Sequence, residues 1–541
     1  MPWVKIDDKE VEVESGTMAL EAARGAGIDI PHYCYHPTLE IVGSCRMCLV
    51  EIEGMSRLQT SCSTPVHEVP EENRIDGKYD MVMLTQTDTV KKERENILEF
   101  LLINHPLDCP VCDQAGECYL QDYSFRFGRS HSRFQEVKRV RPNENLGSSI
   151  VLNHNRCIMC TRCVRFTREI TGTGELFVES RGYDTKISVL EGKPLDNLLA
   201  GNVADICPVG ALLSTDYVHK NRLWNLTRQS SVCTDCSVGC NIHVFHDGKQ
   251  VFRISPRENH DVNGFYMCDI GRYGFHRYEG IERVRSPLIR SDERFQEIGW
   301  EGGLKEIFHR FTRGKNGEKP RVAGVVSPFH TNEANFLLGQ FIHTVLKGRG
   351  ILGMLSPFGE QEDILFPSGF RISGDRSPNR QGVLDLSSGL DGDFLAAVKK
   401  TKTKLMYLLD DGVDREPDDS WTEVLGNLDF LVVQTYAMTP IARLAHVILP
   451  GPAPFEREGT MTNDRGRIQW LRPSLRPEGK VRADWEILME VMNTVGKRQY
   501  DFTDLGEILR AMGEAFPAYK GVSLFRIGDQ GLPTNEEAGE A

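Results

Sequence analysis

Cysteine is absent from the second half of this chain. The sequence has 541 residues and 15 cysteines, and every cysteine lies between Cys34 and Cys268. An odd number of cysteines in a chain without an extracellular signal does not suit a disulfide framework. Metal coordination is the alternative, because thiolates are good ligands for iron and zinc.

Other missing features narrow the function further. No apolar run reaches the roughly 18 residues that would predict a membrane-spanning helix, and the opening Met-Pro-Trp-Val-Lys-Ile lacks the apolar core of a signal peptide. We therefore expect a cytoplasmic protein. The net charge of −13 argues against nucleic acid as the main partner, because phosphate binding requires a basic surface. We interpret the basic stretches 126–133 and 138–141 as solvated linker or as contacts with an acidic neighbour.

The cysteines fall into four groups. One group has three members and the others have four, so one group needs a ligand of another kind if each binds one metal centre. The groups are Cys34, Cys45, Cys48 and Cys62; Cys109, Cys112 and Cys118; Cys157, Cys160, Cys163 and Cys207; and Cys233, Cys236, Cys240 and Cys268.

The third group has the most informative spacing. Cys157, Cys160 and Cys163 follow the pattern C-x2-C-x2-C, and Cys207, which precedes a proline, comes after 43 intervening residues. Three cysteines in one loop and a distant Cys-Pro are typical of a 4Fe–4S cluster. A two-cluster ferredoxin has two complete C-x2-C-x2-C-x3-C-P runs. Here one run has kept only its first three cysteines, and the other has kept only its final Cys-Pro. The spacing predicts a ferredoxin-like domain with a single 4Fe–4S cluster.

The first group follows the start of a predicted β-grasp fold. Residues 3–13 alternate apolar and polar side chains around an Asp-Asp-Lys turn, which predicts a hairpin. A helix is predicted next, capped by Ser15 or Thr17 and ended by Gly25 and Gly27. The cysteines then follow as C-x10-C-x2-C-x13-C. Four thiolates with one C-x2-C pair suit a 2Fe–2S centre, although plant-type ferredoxins begin with C-x4-C.

The second group lacks a fourth cysteine, and His105 is the candidate to replace it. Residues 89–104 predict an amphipathic helix, and His105 stands at its end, four residues before Cys109. An isolated histidine is usually a surface or core residue, but the missing ligand reverses that preference. We expect His105 to complete a 4Fe–4S site with Cys109, Cys112 and Cys118. A neutral imidazole in place of a thiolate makes the cluster less negative by one charge, and charge affects its potential.

In the fourth group, Cys233, Cys236 and Cys240 form a C-x2-C-x3-C triplet, and Cys268 follows after 27 residues. Between them, residues 242–254 predict a hairpin with an Asp-Gly turn. Structural zinc is the alternative for all four groups, but zinc sites usually combine two separated pairs of ligands. Triplets within one loop favour iron–sulfur clusters.

From about residue 283, short apolar runs alternate with helical patterns. The runs at 322–326, 405–409, 430–433 and 445–449 predict strands, and strands between helices favour an α/β domain with a parallel sheet. The last dozen residues are acidic and predict a disordered tail.

Together these motifs resemble the large iron–sulfur subunit of bacterial NADH-quinone oxidoreductase, respiratory complex I. The resemblance rests on Gly-Ser-Cys-Arg-Met-Cys at 43–48, on the segment 105–118, and on the Cys157 and Cys233 groups. It implies a multidomain fold, α+β and then α/β. The implied domains are a β-grasp 2Fe–2S ferredoxin domain at 1–81, a 4Fe–4S segment with one histidine and three cysteine ligands at 82–121, a ferredoxin-like 4Fe–4S domain at 140–220, a molybdopterin-oxidoreductase-type 4Fe–4S domain at 226–282, a shortened molybdopterin-oxidoreductase-like domain at 283–527 and an acidic tail at 528–541.

The resemblance also implies a role. The Cys34 group would hold one 2Fe–2S cluster and the other three sets 4Fe–4S clusters, with the Cys233 cluster off the main electron path. Electrons would arrive from a flavin subunit that oxidises NADH and leave through a downstream iron–sulfur subunit toward quinone, at the cytoplasmic face of the bacterial inner membrane. Gly172-Thr-Gly174 lacks the third glycine of a dinucleotide fingerprint, which agrees with NADH oxidation on a partner. No catalytic residue is expected in this chain.

The second half resembles a molybdopterin-oxidoreductase domain, most clearly at 458–467. Active members often carry a lysine two residues after the last cluster cysteine and a cysteine on the metal. Here Ile270 takes the first position and no cysteine follows Cys268, which leaves serine or aspartate as the remaining choice of metal ligand. We expect a scaffold without molybdenum. The alternatives are a subunit of a soluble NAD-linked formate dehydrogenase or hydrogenase, and a zinc-stabilised interaction scaffold.

Overall fold

The computed structural model describes residues 1–292, 294–313, 320–347, 349–355, 361–387, 390, 392–496 and 500–534. The chain divides into two units, one of Met1–Leu226 with Phe366–Gly369 and one of Thr227–Leu365 with Phe370–Ala541. In the part of the chain that is described, no helix is long and apolar enough to cross a bilayer.

A five-stranded sheet opens the first unit and confirms the predicted hairpin. Its strands lie in the order Lys9–Glu12, Trp3–Ile6, Met81–Leu84, Leu49–Ile52 and Gln59–Thr60. The predicted helix spans Ala19–Gly25, and Leu20 and Ala23 pack into the core of this sheet. The predicted cap at Ser15 or Thr17 is wrong, because Met18 forms a bridge with Pro65 and itself precedes the helix without a side-chain cap.

Two helices follow the sheet. Helix Asp88–Leu102 confirms the prediction for 89–104 and begins at Thr87, whose hydroxyl accepts the N–H of Val90. A 3-10 turn spans Cys109–Val111, and a second helix spans Tyr119–Phe127. The short 3-10 turns Ser61–Ser63 and Glu71–Asn73 precede this pair. The second group of cysteines therefore lies in the loop between two helices.

The rest of the first unit consists of short elements around the third group of cysteines. A three-stranded sheet has the order Leu212–Ser214, Ile150–Leu152 and Glu144–Asn145, and a separate hairpin joins Leu176–Glu179 to Lys186–Val189. Helix Arg162–Arg165 continues as a π-helix over Phe166–Ile170, and helix Asn202–Ile206 ends next to Cys207. The 3-10 turns are His154–Arg156, Gly182–Asp184 and Leu223–Asn225.

The second unit begins with a three-stranded antiparallel sheet of Thr227–Val232, Asn241–His246 and Val251–Pro256. The last two strands confirm the hairpin predicted for 242–254. Helix Asp269–Tyr273 and the 3-10 helix Gly274–Tyr278 follow directly after Cys268.

A seven-stranded sheet forms the centre of the second unit. Its order is Arg294–Glu297, Leu288–Ser291, Val447–Pro450, Phe430–Thr435, Leu405–Leu409, Val322–Val326 and Gly350–Met354, and the last five strands are parallel. Tyr407 and Leu409 pack into one core and Met406 and Leu408 into another, so both faces are buried. This explains the continuous apolar runs that predicted the strands.

Helices cover this sheet. They span Gly299–Thr312, Asn332–Gln340, Arg380–Leu386, Phe394–Lys400, Asp419–Gly426, Pro440–Leu444, Asp484–Val495, Leu505–Ala515 and Leu524–Ile527, with a π-helix at Phe341–Val345 and a 3-10 turn at Pro517–Tyr519. Two small sheets complete the unit, one of Ile364–Leu365 and Arg371–Ile372, and one of Gly459–Thr462, Arg467–Leu471 and Leu532–Pro533.

The last of these strands corrects the predicted disordered tail. Leu532–Pro533 pairs with Arg467–Ile468, so hydrogen bonds to a distant strand order this part of the tail. Residues 535–541 of the predicted tail lie outside the described residues.

Candidate metal centres

The third group of cysteines surrounds one enclosed cavity. Cys157, Cys160, Cys163 and Cys207 line about 350 Å³ of atom-free space, although Cys207 is far from the others in sequence. Burial raises the pKa of Cys157 to about 12 and that of Cys160 to about 11, so without a metal these thiols keep their protons at neutral pH. Four thiols on one cavity fit an iron–sulfur cluster, which they would bind as thiolates after losing those protons.

The loop backbone points N–H groups at these sulfur atoms. Met159 and Thr161 adopt the left-handed conformation, with φ of +54° and +59°. This turns the N–H of Met159 toward Cys157 Sγ at 3.4 Å. Amide dipoles directed at sulfur favour its anionic form, which is the form that binds iron. Neither residue is a glycine, so no glycine marks these turns in the sequence.

The second group and His105 line another cavity. His105, Cys109, Cys112 and Cys118 share about 290 Å³ of atom-free space between the two helices. Burial, followed by the charges of Arg156 and Lys138, lowers the pKa of His105 to about 4. The imidazole is therefore neutral at pH 7, which is the form that coordinates a metal. The structure thus brings the histidine to the three cysteines, as the prediction requires.

Gly210 and Arg156 adjoin this second cavity and belong to the segments around the third group. A Cβ on Gly210 would lie 2.3 Å from Cys112 Sγ, so this position has no room for a side chain. The Arg156 guanidinium donates to Asp108 Oδ2 at 3.1 Å and to the Gly210 carbonyl at 3.5 Å. The residues next to Cys157 and Cys207 therefore also shape the His105 cavity.

The first group forms two pairs of sulfur atoms. Cys34 is hydrogen-bonded to Cys45, which lowers the pKa of Cys34 to about 5 and raises that of Cys45. Cys48 is bonded in the same way to Cys62, and its pKa falls to about 7. Cys45 Sγ also accepts the N–H of Cys34 at 3.4 Å and that of Tyr33 at 3.5 Å. Two cysteine pairs fit a centre with two irons, each bound by two thiolates.

The fourth group is buried in the second unit. Cys233, Cys236, Cys240 and Cys268 are each less than a tenth exposed. Burial raises the pKa of Cys233, and the other three sulfurs raise it further, so all four lie close together. A Cβ on Gly271 would come within 2.6 Å of Cys233 Sγ, so the helix after Cys268 also approaches the sulfurs closely.

Two functional candidates were missed by the sequence reasoning. Arg162 lines the Cys157 cavity, and Arg165, which lies in the same helix, donates to the carbonyl of Cys160 at 3.2 Å. Their position inside and just after the C-x2-C-x2-C motif was the available signal. Among the residues that the structure describes, no three His, Cys, Asp or Glu side chains are arranged to hold a single metal ion.

The second unit has a buried polar network at the carboxyl edge of its parallel strands. Its parallel strands are doubly wound, and such sheets bind ligands where the strand order reverses, here at the carboxyl ends of Val322–Val326 and Leu405–Leu409. His330 donates to the Asp410 carbonyl at 2.9 Å across this point, and Arg457 Nε lies 2.8 Å from Asp484 Oδ2. All four side chains are at most 3% exposed. These charged and polar side chains therefore form a buried network at this edge of the sheet.

Family models match successive parts of the chain. The 2Fe-2S iron-sulfur cluster binding domain matches residues 3–69 and the NADH-ubiquinone oxidoreductase-G iron-sulfur binding region 94–133. The ferredoxin-like domain of NADH-quinone oxidoreductase subunit 3 matches 147–213. The molybdopterin oxidoreductase Fe4S4 domain matches 226–280, and molybdopterin oxidoreductase matches 365–494. The chain therefore contains 2Fe–2S and 4Fe–4S binding domains and a molybdopterin-oxidoreductase-like domain, as predicted.

Whole proteins match as well. The mitochondrial NADH-ubiquinone oxidoreductase 78 kDa subunit of Neurospora crassa is 31% identical over 95% of this chain and 83% of that protein. An NADH-quinone oxidoreductase subunit of Rickettsia felis is 40% identical over 62% of this chain, and the match spans about half (48%) of that protein. A solved chain of an NAD+-reducing NiFe hydrogenase in the H2-reduced state is 30% identical, with a TM-score of 0.36 over 41% of this chain and 91% of that chain, a structural similarity too low to relate the folds.

The Neurospora match extends through both units, and the matched cluster-binding domains include the segment of His105 and its three cysteines. Members of this family are subunits of a larger oxidoreductase, which agrees with the absence of a dinucleotide fingerprint from the sequence. The chain belongs to the family of the large iron–sulfur subunit of NADH-quinone oxidoreductase, respiratory complex I.

Proposed function

We propose that this chain is the electron-transfer subunit of the peripheral arm of a proton-translocating NADH:quinone oxidoreductase. It would take electrons one at a time from the subunit that binds NADH and flavin, and pass them toward quinone through a downstream iron–sulfur subunit. The convergence of His105 with Cys109, Cys112 and Cys118 on one cavity supports the proposal most strongly, because this mixed ligand set is the most specific feature of the family.

We infer four cluster sites. Cys34, Cys45, Cys48 and Cys62 would hold a 2Fe–2S cluster, with the pair Cys34 and Cys45 on one iron and the pair Cys48 and Cys62 on the other, as their sulfur contacts suggest. Three 4Fe–4S clusters would be held by His105, Cys109, Cys112 and Cys118; by Cys157, Cys160, Cys163 and Cys207; and by Cys233, Cys236, Cys240 and Cys268. Such clusters supply one-electron transfer.

The protein's own groups position and shield these clusters. Twelve of the fifteen cysteines are buried, which keeps water from most of the sulfurs, whereas Cys109 is exposed. Glycines at 210 and 271 let the backbone approach the sulfurs closely. The buried polar network at the carboxyl edge of its sheet and the lack of a cysteine after Cys268 support a scaffold role for the second unit, without molybdenum. The proposed domains are 1–81, 82–121, 140–220, 226–282, 283–527 and 528–541. We place the chain at the cytoplasmic face of the bacterial inner membrane, bound only through its partner subunits.

The test is anaerobic purification under native conditions. We expect a brown protein that contains iron rather than zinc, shows 2Fe–2S and 4Fe–4S signals in low-temperature EPR after reduction, and travels with a membrane complex. Recovery with a soluble formate dehydrogenase or hydrogenase would reject the complex. A colourless, zinc-loaded protein without an EPR signal on reduction would reject electron transfer altogether.

The His105 ligand has its own test. His105→Ala removes the imidazole from the cavity and leaves the three cysteines in place. One 4Fe–4S signal should therefore disappear or change, whereas the 2Fe–2S signal should remain, as seen by EPR and iron analysis of the purified complex. His131 is an exposed histidine of the same unit, and His131→Ala is the matched control. An unchanged iron content and spectrum in His105→Ala would refute the assignment.

A further inference from the structure

Two arginines near the first and third cysteine groups are buried without an acidic partner. Arg162 is 5% exposed and Arg165 is 2% exposed. Among the ion pairs of the described residues, neither guanidinium meets a carboxylate, whereas the neighbouring Arg156 and Arg168 both do. The Nε atoms of Arg162 and Arg165 have no hydrogen-bond partner. Within the described part of the chain, both positive charges are therefore left without an ion-pair partner.

All hydrogen bonds of these two guanidinium groups go to backbone carbonyls. Arg162 donates to Tyr35 and Ile206, and Arg165 donates to Cys34, Glu40 and Cys160. Nη2 of Arg165 reaches the Cys34 carbonyl at 2.5 Å and the Cys160 carbonyl at 3.2 Å. One nitrogen atom thus joins a cysteine of the first group to a cysteine of the third.

Carbonyl groups are weaker partners for a buried cation than a full negative charge. A buried charge without a counter-ion destabilises the fold strongly, and a carboxyl group or lysine relieves this by changing its protonation state. Arginine cannot do so, because its pKa is above 12. An anion next to Arg162 and Arg165 would therefore stabilise this region.

The cysteine sulfurs are placed to provide that anion once they bind iron. Arg162 lines the Cys157 cavity itself. Arg165 donates to the carbonyls of Cys34 and Cys160, one cysteine from each of the two groups. The two cations thus lie next to both cysteine groups.

We propose that Arg162 and Arg165 are positioning residues that supply fixed positive charge to the iron–sulfur centres of the Cys34 and Cys157 groups and raise the reduction potentials of both. This rests on the proposed function, since it requires a cluster at each group. Reduction adds one electron and therefore one negative charge, and a nearby cation stabilises that state. Transfer moves one electron from one centre to the other, with no bond made or broken and no proton required.

The experiment compares Arg165→Gln and Arg165→Lys with wild type in the purified holo-complex. Arg168→Gln is the matched control, because Arg168 is in the same helical segment but its side chain is 63% exposed. Redox titration followed by EPR gives the potential of each centre. At the wild-type midpoint potentials we expect Arg165→Gln to lower the ratio of reduced to oxidised cluster about tenfold, which is about 59 mV for one electron. Lysine should restore most of the loss, and Arg168→Gln should leave the ratio unchanged.

The outcomes distinguish an effect of the positive charge of Arg165 from an effect of the shape of its side chain. If Arg165→Gln keeps its full iron content and unchanged potentials, or if Arg168→Gln shifts them equally, the proposal is wrong. If Arg165→Gln loses iron, retention by Arg165→Lys supports it, because positive charge is what lysine and arginine share. Loss of iron from both variants would overturn it. Failure of the proposed function would be seen before any variant is made, because the purified wild-type protein would then contain no clusters.

Discussion

Buried arginines occur in both units, but their partners differ. In the second unit, Arg272 and Arg457 are 5% and 3% exposed, and each faces a carboxylate, Asp269 at 3.2 Å and Asp484 at 2.8 Å. In the first unit, Arg162 and Arg165 are buried as deeply and donate only to carbonyls. The second unit therefore neutralises its two buried arginines with its own acids, whereas in the first unit Arg156 has such an acid, Asp108, and Arg162 and Arg165 do not.

This contrast indicates which unit depends on a cofactor for its charge balance. A buried acid without a cation can take up a proton, as Asp410 shows, since burial and the neighbouring Asp411 raise its pKa to about 7. Arginine cannot lose its charge in the same way, because it stays protonated at any pH at which the protein is folded. Fixed, unpaired guanidinium groups are therefore a stronger sign of an anionic cofactor than unpaired acids are.

The largest effect should follow removal of iron. Removing the clusters would take away the anion proposed to balance Arg162 and Arg165, and we expect the π-helix Phe166–Ile170 and the helix before it to lose several kcal/mol of local stability. Hydrogen exchange measured by mass spectrometry on chelator-treated protein should be about a hundredfold faster or more there. Helix Asp484–Val495, where the charges are paired within the protein, is the internal control.

Two results of iron removal would contradict the contrast between the units. Equal loss of protection in residues 162–170 and in Asp484–Val495 would mean that both units depend on the clusters in the same way. Unchanged protection in residues 162–170 would mean that the carbonyls alone stabilise the two cations.

The second-largest effect should come from breaking the ion pair between Arg457 and Asp484. Asp484→Asn leaves Arg457 buried without its carboxylate and should destabilise the second unit by about 3–5 kcal/mol, measured by chemical denaturation. The double variant Asp484→Asn with Arg457→Met removes both charges and should be more stable than the single variant. A cost below about 1 kcal/mol for the single variant would show that the pair contributes little.

The same pair predicts the behaviour in acid. Burial would raise the pKa of Asp484, but Arg457 and His330 outweigh it and lower the pKa to about 2. Because the folded pKa lies below the ordinary value, the stabilisation is complete above about pH 4 and is lost as the pH falls toward 2. Asp484→Asn should flatten this part of the stability curve.

The fold was largely predictable where local pattern decides it. The buried strands at 322–326 and 405–409 were predicted because both faces of their sheet are covered, which gives continuous apolar runs. The predictions were wrong where contacts between distant residues determine the local structure. Met18 bridges Pro65 and replaces a capped helix start, and Leu532–Pro533 is ordered by pairing with Arg467–Ile468.

The candidate sites likewise have features that the local sequence predicts and features that depend on distant contacts. Ligand spacing is local, so the four groups and His105 could be chosen from the sequence, and their role as ligands stays a prediction. The approach of Gly210 to Cys112 joins segments about a hundred residues apart and has no local signal. The lack of an ion pair at Arg165 among the described residues is likewise a property of the packed chain, since acidic residues are common in the sequence.

The smallest effect should come from the acid that lacks a cation. Among the ion pairs that the structure describes, Asp410 has none, and its carboxylate accepts from Thr439 at 2.8 Å. Because its pKa is raised from the ordinary value of about 4 to about 7, protonation of this carboxyl stabilises the fold fully below about pH 4, and that stabilisation is lost as the pH rises from 4 to 7. Asp410→Asn keeps an acceptor for Thr439 and cannot ionise. Relative to the wild type, it should stabilise the second unit by about 2–3 kcal/mol more at pH 8 than at pH 5, measured by denaturation at both values. Asp429→Asn, at an exposed acid before a neighbouring strand, is the control. Equal effects of Asp410→Asn at both pH values would mean that Asp410 carries its charge in the fold, and that buried acids and buried arginines differ less than the contrast between the units requires.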